Sequence, residues 1–271
     1  MGRKDYKDMR TFSLMVNKRG QLTLILIVGI ALVAVLLVFF LYPRIKTTTT
    51  SAFTPTGFLE SCLEPAITPA LDIVTKQGGS MRPEGFFLYG GEKVQYLCYT
   101  SDYYKTCVVQ QPFVKNQVEQ ELTVVMQGKT RECMGKLKEE YESRGYQVSG
   151  GTGSSQVAFI PGSMNIEMSA PLSVSKGEEK QNFKGFTVKR TSELYDLLLL
   201  SSSIVEYEST LGDSEVTLFM QYYPDLKIEK MKLSDGTKIY TLTNVVTNER
   251  FRFASRSLSW PPGYGVDNAL L

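Results

Sequence analysis

At residues 20–43 the chain reads GQLTLILIVGIALVAVLLVFFLYP, 24 residues without a charged side chain. About 20 apolar residues span a bilayer as a helix, whereas the apolar core of a cleaved secretory signal is usually only about 7–15 residues long. A buried helix of a globular domain is rarely apolar on all of its faces. The run therefore predicts a transmembrane helix over residues 20–43.

The charges beside this run predict its orientation. Six Lys or Arg side chains precede it, and only Arg44 and Lys46 follow it closely. Because basic residues are retained on the cytoplasmic side, we expect a basic cytoplasmic tail at residues 1–19 and an extracytoplasmic C-terminal part. This predicts a single-pass protein of the cell membrane.

The part after residue 50 is mildly acidic, with 22 basic and 26 acidic side chains in 221 residues. Binding to nucleic acid needs a concentrated basic patch, so we expect no nucleic-acid partner. Residues 44–55, rich in Thr, Ser and Pro, are expected to form a spacer. Residues 56–258 follow as an extracytoplasmic domain, and residues 259–271 as a flexible tail.

All four cysteines lie after the apolar run, and an even number in an exported segment predicts two disulfides. We expect the pair Cys98–Cys107, which closes a local loop, and the pair Cys62–Cys133, whose members lie near the apolar stripes of two helices. The four spacings include no C-x-x-C pair, which disfavours a zinc site.

Three helices are predicted in the domain. The first covers residues 56–79, ends at a Gly-Gly pair, and is expected to be kinked or broken at Pro65 and Pro69. The second begins at Pro112, and the third is capped by Thr191 or Ser192 with Glu193 in its first turn. The expected apolar stripes are Leu59, Leu63, Ala66, Ile67, Ala70, Leu71 and Val74 in the first, and Val114, Val118, Leu122, Val125, Met126, Cys133 and Leu137 in the second.

Strands are predicted between and after these helices. Residues 84–101 form two β-prone runs about a Gly-Gly pair, and residues 146–190 contain several strands. A short helix is expected before Pro224, then a hairpin with its turn at Asp235-Gly236 and a third strand at 250–258. The domain is therefore predicted to be α+β, with helices and mainly antiparallel strands.

Several kinds of chemistry are disfavoured. The chain has no histidine, which excludes Ser-His-Asp and Cys-His nucleophile pairs and histidine metal sites. No P-loop motif occurs, and the Gly-rich segment 149–155 is expected to be a flexible loop. The acidic pairs Glu206/Glu208, Asp213/Glu215 and Glu139/Glu140 are expected to be solvated. We predict no catalytic, cofactor or metal residues.

Tyrosines are concentrated around the first hairpin, at Tyr89, Tyr96, Tyr99, Tyr103 and Tyr104. Tyr offers a large contact area at a low cost in conformational entropy, so this segment is a candidate recognition surface. Packing on a strand face explains the same residues and stays open as the alternative.

The residues Lys18-Arg19-Gly20, followed by Gln21-Leu22-Thr23 and a hydrophobic helix, resemble an archaeal class III, or prepilin-type, signal. The resemblance implies cleavage between Gly20 and Gln21, with the retained helix packing in a filament core. The order of Cys62, Gln77-Gly78-Gly79, a helix and Cys133 is similar to that of exported, membrane-anchored archaeal proteins without an established activity.

Together these observations predict a membrane-anchored cell-surface protein with an extracytoplasmic domain for binding or structure, and no catalysis. Its expected partners are the membrane and either another protein or further copies of itself. The first alternative is a pilin-like filament subunit cut after Gly20. Many pilins carry Glu at the fifth mature position, where this chain has Ile25, and this favours the permanent anchor. The second alternative is an exported hydrolase that uses carboxylates.

Overall fold

The computed structural model describes residues 18–41 and 53–258, and the side chains of residues 26–37 within the first range. The chain divides into two units, Met1–Ala52 and Phe53–Leu271. In the first unit, α1 spans Lys18–Leu41. All its described side chains, from Leu26 to Leu37, are apolar and exposed. Residues 1–17 of the predicted tail at 1–19, most of the spacer at 44–55 and the C-terminal tail at 259–271 lie outside the described residues.

The second unit is an α+β domain with two disulfides, as predicted. Its helices are α2 (Pro55–Lys76), α3 (Val114–Ser143), α4 (Leu194–Leu211) and α5 (Thr217–Tyr222). Its strands are β1 (Phe86–Tyr89), β2 (Glu92–Tyr99), β3 (Val108–Val109), β4 (Gln147–Gly150), β5 (Ser154–Ile160), β6 (Ser163–Ser169), β7 (Leu172–Lys176), β8 (Glu179–Phe183), β9 (Phe186–Thr191), β10 (Leu226–Lys232), β11 (Thr237–Asn244) and β12 (Arg250–Arg256).

Helix α2 begins at Pro55, because the Thr54 hydroxyl accepts a hydrogen bond from the Gly57 N–H and caps it. The expected break at the two internal prolines is wrong, since α2 continues through both. Pro65 and Pro69 lie four residues apart on the exposed side, where water can satisfy the carbonyls that they leave unpaired. The apolar stripe on the opposite side holds the helix on the core.

Helix α3 begins at Val114, two residues after the predicted start at Pro112. Its predicted stripe is buried except for Val125, which is exposed at the edge. Helices α2 and α3 are joined by the disulfide Cys62–Cys133, with 5.9 Å between the Cα atoms, which confirms the predicted pair.

The main sheet contains six strands. Its order is β1-β2-β12-β11-β10, and β3 pairs with the C-terminal end of β2, at Cys98 and Tyr99. Every pairing in it is antiparallel except that of β12 with β2. Both predicted hairpins, β1-β2 and β10-β11, are therefore confirmed. The inward face of this sheet contributes Tyr240, Leu242, Phe251 and Phe253 to the core shared with the helices.

Two smaller antiparallel sheets, β4-β7-β8 and β5-β6-β9, complete the domain. The Gly-rich segment 149–155 ends β4, forms a short loop at residues 151–153 and begins β5, and it lies close against a neighbouring backbone segment. At Gly153 an added Cβ atom would collide with the Ser169 carbonyl, and at Gly150 with that of Pro171. Glycine is required there because two backbone segments pass in direct contact.

Helix α4 packs its apolar stripe against the sheet, with Leu197, Leu198 and Ile204 buried. Its predicted capping is partly wrong. Thr191 ends β9, and Glu193 lies at the cap position rather than in the first turn. Ser192 accepts a hydrogen bond from the Leu194 N–H at 3.3 Å, which leaves it as the capping side chain.

The predicted transmembrane helix over residues 20–43 coincides only in part with the described side chains of α1 and stays a prediction. Among the residues whose side chains are described, no helix combines the length and the apolar character needed to cross a membrane. Residues 20–25 and 38–43 of the predicted span have no described side chains.

Candidate functional site

The five tyrosines of the candidate recognition surface lie along β1, β2 and the loop after β2. Tyr89 ends β1, whereas Tyr96 and Tyr99 lie on β2 with ring centroids 4.9 Å apart. Tyr103 and Tyr104 follow in the loop and are 71% and 70% exposed. The structure thus brings Tyr96 and Tyr99 together and presents Tyr103 and Tyr104 to solvent.

The tyrosine loop, residues 99–106, is fixed at its base. The buried disulfide Cys98–Cys107 closes it with Cα atoms 5.4 Å apart, which confirms the second predicted pair. Arg256 on β12 donates a hydrogen bond to the Thr100 carbonyl. Its guanidinium carbon lies 5.8 and 5.9 Å from the ring centres of Tyr99 and Tyr103. These contacts restrict the conformational freedom of the loop, so ordering it against another molecule would cost little further entropy.

A groove of about 630 Å³ opens beside the tyrosine loop. It lies between the first turns of α3, strand β2 and the segment that leads from α2 to β1. Four glutamines line it, and we call it the glutamine groove: Gln95, Gln110, Gln111 and Gln117. Three aromatic rings, Phe86, Tyr96 and Tyr99, share the lining. Tyr99 therefore belongs to both the groove and the tyrosine loop.

Protein contacts hold several of the glutamines. Gln95 is only 8% exposed, and its side-chain oxygen accepts a bond from Gln117 Nε2 at 3.4 Å. Gln110 Nε2 donates to the Val108 carbonyl at 2.9 Å, which leaves its own oxygen as a spare acceptor. Gln117 Oε1 is buried and has no hydrogen-bond partner in the described chain. The groove wall therefore retains unused hydrogen-bonding capacity.

A glycine brings the groove wall together. Gly78 follows α2 with φ at +73°, and a Cβ atom there would lie 2.9 Å from the Gln95 Cβ. A side chain at this position would therefore be strained and would push β2 away. The predicted Gly-Gly helix stop thus also sets how closely the segment after α2 approaches Gln95.

The charged groups of the groove nearly cancel. Arg82, Glu84 and Glu121 line it, with a formal sum of −1. The Glu121 carboxylate accepts a hydrogen bond from the Met81 N–H at 3.0 Å, which orders the loop at the rim. The Tyr96 hydroxyl lies 2.8 Å from the Thr237 hydroxyl, and burial raises the pKa of Tyr96. The tyrosine is therefore neutral at physiological pH.

The acidic pairs predicted to be solvated lie outside the groove, and one member is buried. Glu206 is exposed, and Glu140 forms a surface ion pair with Arg144 at 2.6 Å. Glu215 is exposed and accepts a hydrogen bond from the hydroxyl of Thr217. Glu208, in contrast, is completely buried, so the prediction is wrong for this residue.

Glu208 forms the centre of a polar cluster, which we call the Glu208 cluster: Glu208, Lys238, Tyr240 and Ser255, which are buried, and Asp213, which is partly exposed at its edge. Lys238 Nζ lies 3.0 and 2.8 Å from the two carboxylate oxygens of Glu208. Tyr240 donates to one of these oxygens and Ser255 to the other. Lys238 also contacts Asp213 at 3.0 Å. The cluster joins the end of α4 to β11 and β12.

The pKa values in this cluster follow from burial and from the lysines. Burial raises the pKa of the Asp213 carboxyl, but hydrogen bonds from Lys232 and Lys230, together with the charge of Lys238, outweigh burial and hold this pKa well below its usual range. Burial and the neighbouring Glu208 carboxylate raise the pKa of the Tyr240 hydroxyl. Tyr240 is therefore a hydrogen-bond donor at any physiological pH.

The Glu208 cluster had a signal in the sequence. Leu197, Ser201, Ile204 and Glu208 follow the three- and four-residue spacing of one helix face, and all four are buried. Lys238 precedes Tyr240 by two residues, so the two side chains share the inward face of β11. Glu208 thus falls on the buried face of α4, and Lys238 falls on the buried face of β11. Two opposite charges on buried faces of packed elements indicate a buried ion pair.

Among the described side chains, no group of three or more Cys, Asp or Glu residues is placed to hold a metal ion. Gly20 and Gln21, the residues of the suggested cleavage site, lie in the first turn of α1, and their side chains are outside the described ones. Comparison with known protein families, with curated proteins and with solved structures found no match to this chain.

Proposed function

We propose that the chain is a single-pass membrane-anchored protein of the cell surface, whose domain 53–258 binds a ligand or partner at the glutamine groove and the tyrosine loop. The N-terminus lies in the cytoplasm and the domain outside. The observation that supports binding is the groove itself, since it combines a volume of about 630 Å³ with ordered polar groups and exposed rings.

The membrane part of the proposal rests on α1. Its described side chains, residues 26–37, are apolar on every face and exposed. Water disfavours such a surface, so the helix needs a bilayer or apolar partner helices around it. The excess of Lys and Arg before the run supports a cytoplasmic N-terminus.

The extracytoplasmic position of the domain is supported by its cysteines. Both disulfides are formed and none of the four cysteines is free. Structural disulfides persist in oxidising compartments and are rare in the cytosol.

Surface labelling of intact cells tests this arrangement. A membrane-impermeant amine reagent should label lysines of residues 53–258 without lysis, and those of residues 1–19 only after lysis. Labelling of the domain only after lysis would contradict the proposed orientation. Recovery of the chain in the soluble fraction would contradict the anchor.

A pilin-like filament subunit is the second candidate, favoured by the order Lys18-Arg19-Gly20-Gln21 directly before the apolar run. N-terminal sequencing of the native protein separates the two. A terminus at Gln21 together with filaments under the electron microscope would establish the subunit. A terminus within residues 1–20 would exclude it.

An exported hydrolase is favoured by one feature of the groove, the presence of both Glu84 and Glu121 in its lining. Acid–base hydrolysis of a glycosidic bond needs two carboxyl groups at a set separation across one cleft. Release of new reducing ends from an oligosaccharide, abolished by Glu84→Gln and by Glu121→Gln, would establish this activity. Intact oligosaccharide after prolonged incubation would exclude it for the substrate tested.

A further inference from the structure

We infer that the glutamine groove binds an uncharged saccharide, with the rings of Tyr99 and Phe86 against its C–H faces and the glutamine amides on its hydroxyl groups. This inference rests on the proposed function of the domain as a binding module, and it names the class of ligand. Three properties of the groove carry it: its amides, its rings and its charge.

The amides match a ligand rich in hydroxyl groups. A carboxamide offers two N–H donors and a carbonyl acceptor, and a hydroxyl group is both a donor and an acceptor. Gln110 and Gln111 bring both kinds of group to the groove, whereas Gln95 and Gln117 bond to each other and order its wall. An apolar ligand would leave these groups desolvated and unpaired, at a cost for each one.

The rings match the other surface of a sugar. A pyranose presents a patch of C–H groups beside its hydroxyls, and this patch packs against the face of an aromatic ring. Phe86 and Tyr99 are each 37% exposed, so both rings offer surface to a ligand. Lys93 lies 4.8 Å from the ring centre of Phe86, and Arg256 flanks Tyr99, which restrains both rings before a ligand arrives. Restrained side chains lose less entropy on binding.

The charge of the groove excludes the main competitors. Recognition of phosphate, sulfate or carboxylate requires a cluster of Arg or Lys. The groove lining holds one basic side chain, Arg82, together with the carboxylates Glu84 and Glu121. Arg256, beside Tyr99, already donates hydrogen bonds to the Asp235 and Thr100 carbonyls, and Lys93 lies over Phe86, so these cations do not form an anion-binding cluster in the groove. Glu121 is already engaged by the Met81 N–H, which weakens it as a ligand for a cation. An uncharged polar ligand avoids these mismatches.

The volume is consistent with this class of ligand. Small-molecule sites usually measure about 300–1,000 Å³, and the groove, at about 630 Å³, lies inside this range. Its lining includes Tyr99, at the start of the exposed tyrosine loop, so a longer chain bound in the groove would have that loop beside it.

An array of immobilised oligosaccharides tests the inference. The full chain, purified in detergent with its disulfides intact, is applied to neutral, sulfated and carboxylated oligosaccharides, with a peptide array in parallel. We expect binding to one or more neutral oligosaccharides and none to the charged ones. Affinity is then measured by titration calorimetry with the free neutral oligosaccharide that binds.

Two substitutions in the groove should weaken this binding. We expect Tyr99→Ala to lower the affinity about tenfold, because it removes a stacked ring. Gln110→Ala should lower it about fivefold, because it removes an exposed amide that is not buried in the core. Tyr99→Phe retains the ring and should bind within about twofold of the wild type. Tyr222→Ala removes an 81% exposed tyrosine outside the groove and should have no effect.

The outcomes separate the ligand class from the proposed function. If the chain binds only sulfated or carboxylated oligosaccharides, or only peptides, the inference of a neutral saccharide is overturned. The domain is still a binding module if Tyr99→Ala and Gln110→Ala lower the affinity for that ligand as well. Neutral saccharide binding that neither substitution weakens overturns the placement in the groove. Binding to none of these probes, by a chain whose melting temperature shows it to be folded, overturns the inference and counts against the binding module.

Discussion

The Glu208 cluster and the glutamine groove are both polar, and they use their polar groups in opposite ways. Glu208 is completely buried, and four donors meet its two oxygens from Lys238, Tyr240, Ser255 and the Ser214 N–H. In the groove wall, Gln117 Oε1 is buried without a partner among the described residues, and the exposed Gln110 amide bonds through its Nε2 alone to the described part of the chain. One site is saturated and closed, whereas the other is ordered and incomplete.

This difference separates stability from recognition within one domain. A buried charge needs every partner, because removing one leaves the others desolvated and unpaired. An open groove with spare donors and acceptors loses little when one of them is removed, since water takes its place. Substitutions should therefore affect folding at the Glu208 cluster and ligand binding at the groove, and each of the following predictions tests one side of this contrast.

The largest effect is expected from Glu208→Ala. It leaves Lys238 buried without its main counter-charge, and removing one partner of a buried pair costs about 3–5 kcal/mol. Urea unfolding followed by circular dichroism measures the loss. Glu206→Ala, on the exposed side of the same helix, is the control and should change stability by less than about 0.5 kcal/mol. Equal losses in the two variants would contradict the structural role of the cluster.

A second substitution tests whether the charges themselves are needed. Glu208→Leu combined with Lys238→Met replaces the pair with apolar side chains, and such exchanges are often neutral or stabilising. We expect the double variant to be more stable than Glu208→Ala. If the double variant is as unstable as Glu208→Ala, the stability contributed by the cluster comes from the hydrogen bonds of Tyr240 and Ser255 to Glu208 rather than from the ion pair.

Loss of the Cys62–Cys133 disulfide should cost about 4 kcal/mol, because the bridge closes a loop with a sequence separation of 71 residues. Neither Cys62 nor Cys133 lines the groove. The variant Cys62→Ala/Cys133→Ala should therefore bind the ligand with unchanged affinity at a temperature where it remains folded. A change in affinity without a change in the unfolding midpoint would contradict this division.

Loss of the Cys98–Cys107 disulfide should cost less, about 3 kcal/mol, because its loop is only 9 residues in sequence separation. Its effect on binding should be the larger of the two, because Tyr99 is adjacent to Cys98 and lines the groove. We expect Cys98→Ala/Cys107→Ala to weaken ligand binding severalfold in the folded protein. If Cys62→Ala/Cys133→Ala weakens ligand binding more than Cys98→Ala/Cys107→Ala does, the disulfide-closed loop does not position Tyr99.

Acid should weaken the Asp213 contribution to stability. Because the lysines lower the folded pKa of Asp213, its contribution is present above the unfolded value of about 3.9 and is lost as the pH falls through the folded pKa. Asp213→Asn should therefore be less stable than the wild type at pH 7, with a difference that shrinks below about pH 4. A difference that is constant from pH 7 to pH 2 would contradict the pairing.

The sequence predicts the domain's elements more reliably than its sites. Apolar periodicity identified the first two helices of the domain, and the capping residues indicated the third. The position of Cys62 beside one apolar stripe and of Cys133 on the other identified the disulfide between α2 and α3. The break expected at Pro65 and Pro69 did not occur, because core packing on one side of a helix outweighs lost backbone bonds on the exposed side. Helix propensity is a local property and does not include the free energy of packing against the core.

The site was predictable only in part. Tyrosine density indicated the loop and two of the groove rings, but the glutamines come from β2, from the segment after β3 and from α3, and only the fold brings them together. Sequence separation between Gln95 and Gln117 conceals their contact at 3.4 Å. Glu208 was misjudged because its neighbour Glu206 made an acidic pair look solvated, although its spacing from Leu197, Ser201 and Ile204 indicated a buried face.

The smallest stability effect is expected in the groove, and it is the sharpest test of the contrast. Gln110→Ala should change the free energy of unfolding by less than about 0.5 kcal/mol, because the side chain is exposed and, within the described residues, it bonds only locally to the Val108 carbonyl. The same variant should still weaken ligand binding. Urea unfolding and titration of a single preparation measure both quantities. A stability loss as large as that of Glu208→Ala would mean that the groove, too, is part of the structural core, and its free oxygen would then no longer indicate a binding site.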